Sequence, residues 1–266
     1  MKTLEEIISE QTMEVDTYRK VAKRAVEHFC LREKAILGVL LAGSTARGDA
    51  RKGPFGFMID IIVVVNDRNI INLEQVFGPD VEPYLPYHCV SFEDTGLQIE
   101  LSTVRELGSI RQKDESEIFA KQEAIILLDR TGFLEEWKTT AFLISQADMK
   151  RRSLMNYFRF QYLTDLYHQE KWSHREAWIQ LAQNGNEACE YYCSFLYCIN
   201  GCFIPRKDWL VYLTYSLDKR PPEHQSWIDA AYSSVLSREA AESRYEVLRK
   251  IGDWMRTFCK ETGWIG

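Results

Sequence analysis

Residues 41–65 read LAGSTARGDARKGPFGFMIDIIVVV, in which one apolar strand stops at Gly43-Ser44 and a second, beginning near Met58, carries a single carboxylate, Asp60. A strand that ends on Gly-Ser and turns into a short helix through Ala46 and Arg47 offers bare backbone N–H groups and a hydroxyl to phosphate oxygens, with the positive end of a helix dipole behind them. Glycine matters there because a Cβ would block close approach. Asp60 sits between Ile59 and Ile61, where a charge is costly without a partner. Together the turn and the strand carboxylate point to nucleotide chemistry.

The rest of the chain places this run in an α+β fold. An N-terminal mixed-sheet domain with flanking helices is expected over residues 1–137, followed by a C-terminal helical bundle domain over 138–266. Apolar positions at helical spacing, from Leu4, Ile7 and Ile8 to Val21, Ala25 and Phe29, predict one or two helices over 3–32. Strands follow at 35–43 and 58–65, with Gly53, Pro54 and Gly56 marking the loop between them. Two alternating strands about Glu93, Asp94, Thr95 and Gly96 form a hairpin. Period-two alternation sets Gln98, Glu100 and Ser102 on the polar face of its second strand. A helix over 104–122 leads to a short strand and turn within 123–132. Beyond about residue 137 the pattern is helical, clearest over 149–169, 174–200 and 240–262. A further helix is expected at 227–237, and Pro205, Pro221 and Pro222 mark helix boundaries.

Composition removes several function classes. The formal net charge of −6 argues against a general nucleic-acid-binding surface, which needs a broad excess of Lys and Arg to displace counterions. No run approaches the roughly 18 to 20 apolar residues that cross a bilayer. The N-terminus lacks the apolar core and cleavage site of a secretory signal, so the chain is expected in the cytoplasm and off the membrane. Seven cysteines in a chain that needs no staples read as reduced. Four of them, Cys189, Cys193, Cys198 and Cys202, could supply thiolates to zinc, but structural zinc sites favour tighter knuckles on turns. On one aromatic-rich helix they read as small core residues.

Asp60 on one strand and Glu100 on a later one can converge. Hard cations take oxygen ligands, and two ions about 3.5 to 4 Å apart steady both the attacking and the leaving oxygen in phosphoryl transfer. An exposed strand face also accepts a glutamate without any such role, so on this ground alone Glu100 stays open.

The stretch Gly43-Ser44-Thr45-Ala46-Arg47-Gly48, a loop, then Ile59-Asp60-Ile61 resembles the G-S-x-A-R-G…S-D-I-D-L signature of the DNA-polymerase-β-like nucleotidyltransferase superfamily. Bacterial aminoglycoside and lincosamide nucleotidyltransferases look similar in joining such a sheet domain to a C-terminal helical domain. The resemblance implies Gly43 and Ser44 at the triphosphate of an NTP such as ATP, Asp60 as a Mg2+ ligand and catalytic residue, and Glu100 as the third carboxylate or the base. It implies Arg47 as a further phosphate contact; separately, Arg159, further along the predicted helix that opens with Lys150-Arg151-Arg152, is read from its place in that basic cluster as a contact to the triphosphate. The implied reaction moves a nucleoside monophosphate to the hydroxyl of a small-molecule acceptor.

One position departs from the signature. Where the superfamily has its first metal-binding Asp, this chain has Met58, and a thioether is a poor ligand for magnesium. Three readings follow: an enzyme using fewer ligands, an enzyme recruiting Asp49 from the loop, or a catalytically impaired pseudoenzyme that keeps a nucleotide pocket or serves protein interaction. The basic run Lys150-Arg151-Arg152 reads as a solvated helix end, Lys207 as a possible nucleotide or acceptor contact, and Trp209 as core.

Overall fold

The computed structural model describes residues 15–50, 58–84, 86–232 and 237–266. The chain divides into two compact units at residues 143 and 144, and the architecture is α+β. The first unit opens on helix α1 (Val15–Ala25), whose last turn widens into a π-helical turn at Val26–Cys30. The part of the expected first helix over 3–14 lies outside the described residues, as does the loop holding Gly53, Pro54 and Gly56.

Next come β1 (Ile36–Leu41), the one-turn helix α2 (Gly43–Arg47), β2 (Met58–Val65), α3 (Leu73–Phe77), β3 (Glu82–Tyr84), β4 (Tyr87–Phe92) and β5 (Thr95–Thr103). The unit closes with α4 (Val104–Gly108), α5 (Glu115–Gln122), β6 (Ile125–Asp129) and α6 (Phe133–Thr140). The six strands form one sheet in the order β3-β4-β5-β2-β1-β6. Only β2 and β5 run parallel, which joins a β1–β2 antiparallel pair to the β4–β5 hairpin.

The hairpin turns on Glu93 and Asp94, both at positive φ, as a two-residue turn of the primed type requires. The three-residue edge strand β3 has no alternating pattern long enough to announce it. Side chains of alternate parity divide the sheet. Ile59, Ile61, Val63, Leu97 and Ile99 join Tyr18, Val21, Ala22 and Ala25 of α1 in one buried core. Asp60, Gln98 and Glu100 project to the opposite side.

The continuous helix expected over 104–122 is broken into two. Thr103 and Glu106 form a capping box that starts α4 as soon as β5 ends. Gly108 and Ser109 then stop it, and extended backbone at Asp114 starts α5.

The second unit contains α7 (Gln146–Thr164), α8 (Leu166–Ser173), α9 (Trp178–Ile199), α10 (Lys207–Leu210), α11 (His224–Ala231) and α12 (Arg238–Glu261). The helix expected over 149–169 is interrupted at Asp165, whose extended backbone ends α7 while its carboxylate accepts the His168 N–H at 2.7 Å and caps α8. Of the helix expected at 227–237, residues 224–231 are helical and 233–236 lie outside the described residues.

Helix α9 is the hub of this unit. Cys189, Cys193 and Cys198 are fully buried on it with Tyr192, Phe195 and Tyr197, and all seven cysteines are free thiols. Burial pushes the Cys189 thiol up to about 11 and raises Cys193 well above its ordinary value, which disfavours the thiolate a metal would need. Helix α12 is stitched to α9 by Arg244, which donates to Asn186 Oδ1 at 2.6 Å and to the Ala182 carbonyl at 3.3 Å. Gly185 makes room for it, since a Cβ there would lie 2.7 Å from the guanidinium carbon. Among the described residues no helix is long and apolar enough to cross a membrane.

His224 is buried between the Tyr192 hydroxyl at 2.9 Å and the Thr214 hydroxyl at 2.8 Å. Desolvation, aided by the nearby Arg220 charge, lowers its pKa from 6.5 to about 4. The unfolded chain therefore takes up this proton before the folded chain does. The histidine's contribution is intact above pH 6.5 and is lost as pH falls towards 4, a change of up to about 3 kcal/mol. Urea unfolding followed from pH 7 to pH 4 is expected to show this loss, and His224→Gln is expected to flatten the dependence over that window.

Candidate functional site

The site is built where β1 ends against β2. The Ala42 N–H donates to the Asp60 carbonyl at 2.8 Å, one residue beyond the Leu41–Ile61 pair. The chain then turns through Gly43 at φ +63°. A Cβ at Gly43 would overlap the Asp60 carboxylate, with Asp60 Cγ 2.9 Å away. The side chain of Asp60 therefore lies against the bare α-carbon of the turn.

Further bonds fix that turn. The Gly48 and Asp49 N–H groups both donate to the Ser44 carbonyl, at 2.9 and 3.0 Å. Arg19 of α1 reaches the Thr45 and Ala46 carbonyls at 3.1 and 2.7 Å. At five residues, α2 is too short for a dipole to act as its own anion site. What distinguishes the turn is a carboxylate packed on the α-carbon of a partly exposed glycine.

Strand register decides what surrounds Asp60. In the parallel β2–β5 pair, Met58 lies opposite Gly96, Asp60 opposite Gln98 and Ile62 opposite Glu100. Directly paired residues share a face, so Asp60 and Glu100 are on the same side of the sheet but one rung apart. Cys89 is opposite Gln98 and Glu82 opposite Cys89, which extends a lane of polar side chains across four strands. The Cys89 thiol is pushed up by desolvation and by the charges of Glu82 and Asp60.

Glu100 has a cation on it. Lys121 of α5, buried at 9% exposure, holds both Glu100 oxygens at 2.6 Å, and the Ser102 hydroxyl donates to the same carboxylate at 3.0 Å. Lys121 belongs to no motif of the sequence. Its signal was a lysine three residues after Ile118, on the buried side of a helix, where only a partnered charge is stable.

Arg47 and Asp49 also turn to the protein. Arg47 Nε is 3.3 Å from Asp49 Oδ1, with the two side chains 12% and 19% exposed. Desolvation raises the carboxyl of neighbouring Glu123, opposed by Arg47 and Lys138 and reinforced by Asp49. The Arg47 pairing is one that an Asp49 recruited as a metal ligand would have to give up.

In the second unit Arg159 is exposed on α7, near Tyr191 of α9. The run read as a solvated helix end is divided. Arg151 pairs with Asp148 at 3.0 Å, whereas Arg152 is buried, lies over the Phe203 ring and donates to the Cys202 carbonyl at 3.3 Å. Lys207 pairs with Glu190 at 2.8 Å, and Trp209 packs edge-on to Tyr212.

The donor set can be tested against a protein-held magnesium pair. Such ions need several hard oxygen ligands. Met58, 40% exposed beside Asp60 on the same face, supplies a thioether. Both Glu100 oxygens are on an ammonium, and residues 51–57 contain no carboxylate. Among the described residues no three His, Cys, Asp or Glu side chains gather in a way that could hold a metal. The described residues do not fit a protein-held metal pair.

No family model matches the chain, and no curated protein matches it. Among solved structures, a crystal structure of a nucleotidyltransferase-like protein from Exiguobacterium sibiricum is similar, with a TM-score of 0.47 and 9% sequence identity over 90% of this chain and 75% of that one. A likeness this distant assigns neither residues nor an activity.

The Gly43–Asp60 contact can be isolated by substitution. Gly43→Ala carries both a left-handed backbone cost of about 1 to 2 kcal/mol and the overlap with Asp60. Gly132→Ala, at φ +77° and ψ 0° in the left-handed region with nothing within 4 Å of the added Cβ, carries the backbone cost alone. Urea unfolding is expected to show Gly43→Ala as the more destabilised, and adding Asp60→Ala to it is expected to recover the difference.

Proposed function

We propose that this chain is a nucleotidyltransferase-type protein that binds a nucleoside triphosphate at the Gly43-Ser44 turn and transfers its nucleoside monophosphate to the hydroxyl of a small-molecule acceptor. The observation that carries the reading is the Asp60 carboxylate seated against the bare α-carbon of Gly43. It lets a polyphosphate approach the main chain next to a carboxylate able to meet an ion that the nucleotide itself carries. The resemblance of residues 43–48 and 59–61 to the nucleotidyltransferase signature supports the same reading. The formal charge of −6 favours a small acceptor over a nucleic acid.

In this reading the backbone of Gly43 and Ser44 binds phosphate, and Asp60 orients the triphosphate. Gln98, beside Asp60, supplies an amide to the same pocket. Arg47 acts through Asp49 to hold the turn and is a positioning residue. Glu100, fixed by Lys121, is not available as the base.

Met58 and the Lys121 ammonium favour a second reading, in which the nucleotide is bound but not transferred. Calorimetric titration with ATP, alongside pyrophosphate release over a panel of hydroxyl-bearing small molecules, separates the two. Under the first reading Asp60→Asn is expected to lower pyrophosphate release by about 100-fold, and Gly43→Ala to weaken ATP binding by about tenfold or more. Release unchanged by Asp60→Asn rejects the assigned role of Asp60. ATP binding without release for any acceptor selects the second reading.

A further inference from the structure

We infer that Lys121 is a fixed cation that neutralises Glu100 and closes it to a second divalent ion, so that this face of the sheet takes a nucleotide with only the single ion the nucleotide carries. The inference rests on the nucleotide-binding half of the proposed function. A two-ion phosphoryl-transfer site needs carboxylates that bridge or share its ions. Here the first carboxylate position is Met58, and the Glu100 carboxylate is closed by an ammonium at 2.6 Å from each oxygen and by the Ser102 hydroxyl at 3.0 Å.

Geometry makes this more than a chance surface pair. The Lys121 side chain is 11% exposed and that of Glu100 31%, so water screens the pair poorly compared with an exposed one. The glutamate is on the same face as Asp60, one rung along a parallel register, and a bare Glu100 would add a second anionic group next to the polyphosphate. An ammonium on a side chain is a cation tethered to the protein, and it needs no further oxygen ligands. Asp60 then remains as the carboxylate that meets a nucleotide-borne ion.

The test is the number of Mn2+ ions bound, read from free Mn2+ by electron paramagnetic resonance, with a non-hydrolysable ATP analogue present or absent. Wild-type protein is expected to bind no Mn2+ alone and one with the analogue. Lys121→Gln keeps a hydrogen-bond donor for Glu100 while removing the charge, so it protects the fold where Lys121→Met fails to fold. It is expected to bind a second Mn2+ with the analogue, and Met58→Asp added to it to tighten that ion by about tenfold.

Mn2+ bound by the wild type without nucleotide, two ions with the analogue, or none with the analogue bound overturns the inference, as does Lys121→Gln remaining at one. If the analogue binds neither with nor without Mn2+, the nucleotide reading itself fails and takes this inference with it.

Discussion

The junction of β1 with β2 is the constraint on which the rest of the site depends. The Ala42-to-Asp60 main-chain bond sets where the first strand ends, and the positive φ at Gly43 then sends the chain back over the Asp60 side chain. With any other residue at position 43, carboxylate and turn would compete for the same space. Arg19 ties the turn's carbonyls to α1, whose apolar side is part of the core beneath the same strands. The turn is thus held by the main chain of β2 and by the part-buried guanidinium of Arg19.

The parallel β2–β5 pair governs what meets Asp60. Because parallel register matches Asp60 with Gln98 and Ile62 with Glu100, the second carboxylate stands one rung away. Helix α5 places a lysine on it. The face therefore carries one ion pair, one amide and one carboxylate next to the turn, where a two-ion site would gather carboxylates alone. A single helical residue changes the chemistry available to the sheet.

Charged residues elsewhere answer local needs of burial. Arg244 and Arg152 are buried, Arg244 donating to the Ala182 carbonyl and the Asn186 amide oxygen and Arg152 donating to the Cys202 carbonyl over the Phe203 ring, so that long side chains bridge separate elements of the fold. Arg47 and Asp49 neutralise each other beside Glu123. From sequence Arg152 reads as solvated and Arg47 and Asp49 as ligand-facing, because their spacing does not show what packs over them. That information lies in helix packing and not in the spacing of residues.

The amino-acid sequence by itself determined the α+β class, the strands of the sheet other than β3, the hairpin about Glu93 and Asp94, and the strand-turn-strand run that holds Gly43, Ser44 and Asp60. These follow from hydrophobic period and turn chemistry, which act over a few residues and are written locally. Only the tertiary structure decided that β2 and β5 run parallel in the register that puts Gln98 beside Asp60, and that Lys121 closes Glu100. A charged group finds its partner among residues distant in sequence, and strand register and helix placement bring them within reach only once the core has formed.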